Sequence, residues 1–428
     1  MGSVWVVGGW APGLALAAKG KSPSPAAARA GQDKTPRCVG LELAHDLGAE
    51  TGARLGELVA RFNEGSKDCQ ILVADRGWKE GPLPPLAILG GESEERLLAG
   101  TPRYRPLHEV MKSSGEALLT LRPPAFMTRR PVDAQGRLLA LPVALSTPVL
   151  YYNRDAFRKV GLNPDQAPGT WFDLQQALGT LIDAGQPCPY TVANPSQVIV
   201  ENTSAWHNEP TAVKRGKGEA LSINGMLQIK HLAMMASWYR ARYLQIFGRG
   251  IEAQGRFESG ECAVIAAPSS SWHGLKRQAN FDIGVAPLPY HDDYPGAPQN
   301  TLAEGSSLWV AAGRTPAEYK TIARFVRFWL EPDNQVAWQR DTGYLPLSRT
   351  GVLVAQQSSV LKDELESVRV ALSQLSRKPA TEASSASALA GRSAVRNILD
   401  EELEAVWADR KPAKEALDTA VTRAAGVN

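Results

Sequence analysis

The amino-acid sequence predicts a large α/β protein of two lobes. One observation is a strand, helix, strand order that begins at Val39, and another is a set of helix caps followed by amphipathic periodicity in the second half. The chain has 428 residues, 43% of them hydrophobic. At ~100–200 residues per domain, this length allows two or three domains with sizeable cores.

The first regular elements alternate between strands and a helix. VGLELA places Val39, Leu41 and Leu43 on one side, which is typical of a half-buried strand. The following apolar residues recur at i, i+3, i+4 and i+7, the pattern of an amphipathic helix, at Leu55, Leu58, Val59 and Phe62. The segments QILVAD (70–75) and LAIL (86–89) predict two further strands, so parallel α/β units are expected.

Proline and cap residues divide the remainder of the chain. The apolar run 138–152 contains Pro142 and Pro148, so it predicts two strand segments with a bend. Thr170 is placed to cap a helix, and Thr315 begins a capping box with Pro at the first helical position. Two helices are expected in the tail, one through 395–406 and one after Pro412.

Composition and motifs argue against several function classes. Lys plus Arg is 47 and Asp plus Glu is 44, so the formal charge of +3 predicts no nucleic-acid partner. No apolar run reaches the roughly 18–20 residues of a membrane-spanning helix. The sequence lacks a GxSxG elbow, a Walker loop, HExxH and a strand-embedded GxGxxG, and its six histidines are scattered. Neither an enzyme nor a cofactor or metal is expected.

The N-terminal 37 residues predict export. Val4 to Ala18 is a short apolar run, and Ala15-Leu16-Ala17 is similar to a small-x-small cleavage site, although no Lys or Arg precedes the run. The following Pro/Ser/Ala-rich stretch is typical of a linker. We therefore expect residues 1–37 to be a signal-like segment and linker, and the protein to be periplasmic.

The four cysteines lack the spacing of a zinc site. Cys38 and Cys69 each precede a predicted strand, so a bridge between them is one expectation for an oxidising compartment. Buried thiols are the alternative, and the pairing of Cys188 and Cys262 stays open.

Several stretches carry a resemblance to a known family. They are LPVALSTPVLYYNRDAFRKVGLNPDQAPGTWFDL from Leu141, SGECAV (259–264), EGSSLWV (304–310), DTGYLPLS (341–348) and the tail VRNILDEELEAVWADRKPAKEALDTAV (395–421). Together they resemble bacterial extracellular solute-binding proteins of the maltose-binding-protein class. Within that class they are most similar to the periplasmic binding proteins that supply sn-glycerol 3-phosphate to ABC importers. The resemblance spans about residues 39 to 425.

The resemblance implies a two-lobed periplasmic-binding-protein fold with hinge crossings and a ligand cleft between the lobes. The N-terminal lobe would comprise 38–145 and 300–344, and the C-terminal lobe 148–298 and 346–425. It also implies a monomer that captures a small-molecule phosphate ester and delivers it to the transmembrane subunits of an ABC permease.

The family pattern also implies site residues. Arg396 matches the arginine that pairs with the phosphate, and a guanidinium suits bidentate phosphate contact. Ser146 matches a hydroxyl donor at the first hinge, and Gly305 a glycine whose backbone amide approaches the ligand. Tyr344 in TGYLP matches a tyrosine at the third crossing. Each residue also has an ordinary structural explanation, such as a surface arginine, a turn glycine or a packed tyrosine.

The remaining candidates are in regions where this chain departs from the family. One of the serines near 270 is expected to donate a hydrogen bond, and Ser269 and Ser271 are the candidates. The stretch RGWKEGPLPPLAILGGESEE (76–95) replaces a region in which the family has a longer helix. Trp78 or Lys79 occupies a ligand-facing tyrosine position there, and Glu92 is the expected acceptor for ligand hydroxyls. A related but different polar phosphate, such as a glycerophosphodiester, is therefore a possible ligand.

Two alternatives keep the fold and change the function. One is a binding protein for a neutral sugar or oligosaccharide, although the family's paired tryptophans are absent here. The other is a divergent sensor or partner domain with an altered cleft.

Overall fold

Helices and strands alternate along the chain in the computed structural model, which describes residues 40–66, 69–116, 131–216, 218–358, 361–385 and 389–427. The strands are β1 Leu41–His45, β2 Ile71–Asp75, β3 Leu86–Leu89, β4 Leu141–Ser146, β5 Pro148–Asn153, β6 Cys188–Val192, β7 Ala212–Arg215, β8 Gly218–Leu221, β9 Leu244–Gln245, β10 Cys262–Pro268, β11 Ile283–Ala286 and β12 Glu304–Val310. The α-helices are α1 Ala49–Glu64, α2 Gly91–Leu98, α3 Leu107–Ser113, α4 Arg154–Lys159, α5 Trp171–Asp183, α6 Thr203–Trp206, α7 Met226–Arg240, α8 Ala253–Glu258, α9 Trp272–Gln278, α10 Pro316–Trp329, α11 Pro332–Thr342, α12 Arg349–Gln357, α13 Glu366–Leu375, α14 Arg392–Trp407 and α15 Ala413–Ala424. A π-helix at Ser196–Asn202 leads into α6, and Ser269–Ser271 form a 3₁₀ turn.

Local sequence signals set the ends of the helices that the sequence predicted. Thr170 caps α5 in a reciprocal capping box with Asp173, and Thr315 does the same for α10 with Glu318. The apolar residues of α1 that recur with helical spacing are buried, and Gly343 ends α11 with a φ of 70°. The helices predicted at α1, α5 and α10 are confirmed, whereas α11 was not among the predicted elements.

The first sheet has the strand order β2-β1-β3-β12-β4. β1 pairs with β2 and β3 in parallel, as the strand, helix, strand pattern predicted. β12 pairs antiparallel with both β3 and β4, so a strand from late in the sequence completes a sheet begun by the N-terminal half. The helices α1, α3, α10 and α11 pack around this sheet and form the first lobe.

The second sheet has the order β11-β5-β10-β6-β9 and is also mixed. β10 is antiparallel to β5 and parallel to β6. Where β10 meets β6, Cys262 lies opposite Cys188, and the two form a disulfide across the strands. Cys69 is disulfide-bonded as well, whereas Cys38, its expected partner, lies outside the described residues, as does the signal-like segment.

The chain crosses between the lobes at three places. The first crossing is Thr147, between β4 and β5, and its hydroxyl donates a buried 2.9 Å hydrogen bond to Thr301 on the second crossing. At the third, the amide of Leu345 donates to the carbonyl of Leu145, over 2.8 Å. The structure is thus an α/β fold of two lobes with crossings side by side, which confirms the predicted fold class. Few residues near the crossings have to change conformation for the lobes to move.

Three histidines that are far apart in the sequence meet inside the second lobe. His231 Nδ1 lies 3.1 Å from His291 Nε2, and the amide of His291 donates to Nε2 of His207, over 2.8 Å. Burial lowers the pKa of His207 and of His291 to about 4, against the weaker opposing effect of Asp293, while Lys230 lowers both further. Within the described part of the chain, no group of three or more His, Cys, Asp or Glu residues is arranged to hold a metal ion.

Candidate functional site

A cavity of about 260 Å³ lies between the lobes, beside the first crossing. The first lobe contributes the start of α2 and the start of β12. The second lobe contributes the π-helix, the end of β10 and the N-terminal turns of α14, while the end of β4 and the first crossing form the base. The cavity is therefore built from segments of both lobes, as a closing cleft requires.

Arg396 is the predicted phosphate-binding residue, and it lines this cavity. Its Nε and Nη2 donate to the two carboxylate oxygens of Glu201, each over 2.6 Å, and Nη2 also donates to Glu304. Burial opposes the charge on this guanidinium, but the neighbouring carboxylates, chiefly Glu201, raise the pKa of Arg396 above its ordinary value. It remains a cation in the cavity.

Arg392 lies one turn before Arg396 on α14 and lines the same cavity, although the sequence analysis did not select it. Its Nη2 donates to Glu304 and lies 3.7 Å from an oxygen of Glu201. The sequence could have indicated Arg392, because residues at i and i+4 share one helix face and RSAVR places two arginines at that spacing.

The N-terminus of α14 also points at a carboxylate. The amide of Ser393 donates to both oxygens of Glu95, over 3.1 and 3.2 Å, and the Ser393 hydroxyl donates to one of them over 3.2 Å. A helix N-terminus carries a partial positive charge and unpaired amides, so it attracts anions. Glu95 lines the cavity from the first lobe, on the side where the sequence analysis expected a carboxylate.

Ser146 and Gly305 line the cavity, as expected for site residues. Ser146 is the last residue of β4, and it is paired with Glu304 in the sheet. Gly305 has a φ of 152°, and a Cβ there would lie 1.7 Å from the carbonyl oxygen of Ala144. The glycine is required by the close approach of β4, whatever contact it makes with a ligand.

Tyr344 and Ser269 lie beside the crossings, Ser271 ends the 3₁₀ turn after β10, and none of the three lines the cavity. The Tyr344 ring stacks on Trp338 with 6.1 Å between centroids, and burial raises the pKa of its hydroxyl. Ser269 is fully buried and its amide donates to Thr147, while the Ser271 hydroxyl accepts from a glutamine of α8. Ser269 therefore contacts the first crossing, whereas Tyr344 packs against α11 and Ser271 against α8.

Glu92 and Trp78 are placed away from the cavity. Glu92 is paired with Arg96 on the exposed side of α2, with 74% of its side chain exposed. Trp78 is 3% exposed and packs into the core of the first lobe, and the neighbouring Lys79 contributes only its carbonyl, as an acceptor for Arg96. The carboxylate of α2 that lines the cavity is instead Glu95, nearly one turn further along the helix, where it meets the start of α14.

The second lobe contributes amide side chains that the sequence analysis did not select as site residues. Asn194 and Gln197 line the cavity at the start of the π-helix, and Asn194 has a φ of 50°. Asn202 at its end accepts a hydrogen bond from the amide of Leu302, over 2.9 Å, and so ties the helix to the second crossing. Amide groups donate and accept, so this wall suits hydroxyls of a polar solute.

The sequence matches the family described as bacterial extracellular solute-binding protein over residues 120–363. The chain belongs to this family. It is a periplasmic solute-binding protein, consistent with the names of its relatives. In the described residues, each helix is too short or too polar to cross a bilayer.

Its relatives include the sn-glycerol-3-phosphate-binding periplasmic protein UgpB of Yersinia enterocolitica, which is 32% identical over 425 residues and aligned over 91% of this chain and 95% of the relative. The UgpB of Salmonella typhimurium is 33% identical over 399 residues, with 89% of this chain and 90% of the relative covered. The similarity extends over nearly the whole of both proteins.

Solved structures give the same architecture. UgpB from Mycobacterium tuberculosis in complex with glycerophosphocholine superposes with a TM-score of 0.71 at 21% identity, covering 90% of this chain and 98% of that one. The cyclic α-maltosyl-1,6-maltose binding protein of Arthrobacter globiformis gives 0.66 at 19% identity, covering 91% and 99%. At such identities these likenesses establish the two-lobed fold alone.

Proposed function

We propose that this solute-binding protein is the substrate-binding component of an ABC importer. It captures sn-glycerol 3-phosphate or a related glycerophosphodiester in the periplasm and delivers it to the membrane permease. The observation that carries the proposal is the pair Arg392 and Arg396 at the N-terminus of α14, facing a cavity between the lobes. The names of the full-length relatives support the choice of ligand.

The chemistry of the cavity supports a phosphate ester. Guanidinium groups donate two parallel hydrogen bonds to phosphate oxygens, and the amides of a helix N-terminus add to the attraction. Ser146 and the backbone of Gly305 supply short donors at the base of the cavity. On the far wall, Asn194 and Gln197 are placed to exchange hydrogen bonds with ligand hydroxyls.

The mechanism follows from the position of the cavity between two lobes. A ligand that contacts both walls binds the closed conformation more tightly than the open one, so binding shifts the population towards closure. We assign the first lobe to 38–145 and 300–344, and the second to 148–298 and 346–425. The closed monomer would then dock on the transmembrane subunits of the permease. Tyr344 and Ser269 would move with the hinge, and they and Ser271 would approach the ligand only after closure.

Calorimetric titration of the full chain with sn-glycerol 3-phosphate and then with glycerophosphocholine tests this function. We expect saturable binding that Arg396→Ala abolishes. The matched control is Arg249→Ala, since Arg249 forms a similar bidentate pair with Glu404 of the same helix but outside the cavity. Binding of either ester with unchanged affinity in Arg396→Ala would overturn the anchor. Binding of maltose and of neither ester would favour a carbohydrate ligand.

A further inference from the structure

The anion-binding groups of α14 already hold carboxylates of the protein itself. Glu201 and Glu304 contact the two arginines, and Glu95 accepts hydrogen bonds from the helix N-terminus. Three carboxylates thus surround two guanidinium groups. A phosphate added to this arrangement would meet repulsion from like charges among side chains that are only 10–20% exposed, where such repulsion is stronger than in water.

The two carboxylates bound to the arginines are not equivalent. Glu201 belongs to the π-helix of the second lobe, binds Arg396 through both oxygens and does not line the interlobe cavity. Glu304 belongs to the first lobe, lines the cavity, and gives one oxygen to Arg392 and the other to Arg396. Two oxygens of one phosphate would bridge two guanidinium groups in the same way.

We propose that Glu304 is an intramolecular counter-ion which occupies the phosphate position of the cleft and which the ligand must displace. The proposal rests on the proposed function, and it makes Glu304 a residue that sets both the affinity and the preferred charge of the ligand. Glu201 remains behind the arginines and orients Arg396.

The position of Glu304 in the fold allows the exchange. It is the first residue of β12, where the strand leaves the second crossing, and Gly305 after it is held against β4. The side chain can therefore rotate towards the cavity mouth without moving the strand, since 17% of it is already exposed. Glu201, in contrast, does not line the cavity and is joined to Arg396 inside its own lobe by two hydrogen bonds of 2.6 Å.

The same contacts hold the lobes together without a ligand. α14 packs on α7, α15 and the π-helix of the second lobe, whereas Glu304 and Glu95 come from the first lobe. Their contacts with Arg392, Arg396 and the start of α14 therefore bridge the cleft. A phosphate that replaces Glu304 keeps the arginines neutralised while it takes over part of this bridge.

The experiment compares Glu304→Gln with the wild-type full chain in calorimetric titrations at pH 7.5. Glutamine keeps the size and one acceptor but removes the charge. We expect sn-glycerol 3-phosphate, mostly a dianion at this pH, to bind about 10-fold tighter to the variant. Glycerophosphocholine has a singly charged phosphate, so its gain should be smaller. Glu404→Gln is the control, because it removes a carboxylate from an arginine pair of α14 outside the cavity.

Each outcome decides the proposal. The proposal is supported if Glu304→Gln, and not Glu404→Gln, binds sn-glycerol 3-phosphate more tightly than the wild type. It is also supported if Glu304→Gln binds this ester and the wild type does not. Equal or weaker binding in a variant with an unchanged melting temperature overturns it and leaves the proposed function standing if the wild type binds. If neither protein binds sn-glycerol 3-phosphate, glycerophosphocholine or inorganic phosphate, both proposals fail together.

Discussion

The pair Arg396–Glu201 makes a quantitative prediction about stability. Its two hydrogen bonds are 2.6 Å long, and only 20% of the Arg396 side chain and 15% of the Glu201 side chain are exposed. With charge centres ~4 Å apart and an effective dielectric constant of ~20, the attraction is about 4 kcal/mol. Desolvation of both groups offsets much of it, so removal of one partner costs more than the pair itself contributes.

We expect Arg396→Met to lower the free energy of unfolding by about 3 kcal/mol, because Glu201 loses both of its hydrogen bonds to Arg396 and keeps only Arg392, 3.7 Å away, as a neighbouring cation. The double variant Arg396→Met/Glu201→Gln should recover most of this and lie within about 1 kcal/mol of the wild type. Urea unfolding followed by tryptophan fluorescence measures both, in a chain with 11 tryptophans.

The matched control is the exposed pair Arg249–Glu404, in which 41% and 49% of the side chains are exposed. Since water screens such pairs, Arg249→Met should cost less than about 1 kcal/mol. The reasoning is refuted if the two single arginine variants are equally stable, or if the double variant loses as much as the two single changes together. Either result would mean that water solvates the cavity side of α14 as well as its outer side.

Three further predictions concern the rest of the fold. Gly305→Ala should lower stability by about 2 kcal/mol or more and weaken ligand binding, because the added Cβ would overlap the neighbouring strand. Thermal unfolding measures the loss of stability, and titration measures the loss of binding. Replacing Cys188 and Cys262 together by Ala should cost about 4 kcal/mol, as expected for a crosslink spanning 74 residues, measured by urea unfolding without reductant. Stability should fall as the pH drops from about 6.5 towards 4, because the unfolded chain binds protons that the buried His207 and His291, with pKa values of about 4, do not.

These predictions have distinct contradicting outcomes. Wild-type stability of Gly305→Ala would mean that β4 and β12 separate freely. If removal of the Cys188–Cys262 disulfide leaves the urea midpoint unchanged, the disulfide does not restrict the unfolded chain. For the histidines, the control is the double variant His207→Gln/His291→Gln, whose stability should fall less between pH 6.5 and pH 4. An identical fall in the double variant would mean that carboxylates cause the loss of stability in acid.

Local patterns in the sequence determined much of the secondary structure. Thr170 and Thr315 cap their helices as expected, and Pro148 opens the strand after the first crossing. These outcomes were predictable because caps and amphipathic faces involve residues within one or two turns. The family resemblance supplied the hinge crossings, the cleft between the lobes and the place of Arg396 at that cleft, which residue periodicity could not provide.

The register of short elements was harder to predict. Glu92 was expected at the cavity, yet Glu92 pairs with Arg96 on the exposed side of α2, and Glu95, nearly one turn further along the helix, accepts the hydrogen bond from the start of α14. Tyr344 and Ser269 were hard to place for a different reason. Whether a residue near the hinge faces the ligand depends on how far the lobes are closed.

Only the tertiary structure decided the composition of the candidate site. Glu201 and Glu304 meet Arg396 across sequence separations of 195 and 92 residues, and nothing local in their segments indicates this. The partner of a buried charge is set by how sheets and helices pack, which is a property of the whole chain. The sequence by itself therefore determined the elements, the family and one cation of the cleft. The fold decided that this cation is already neutralised.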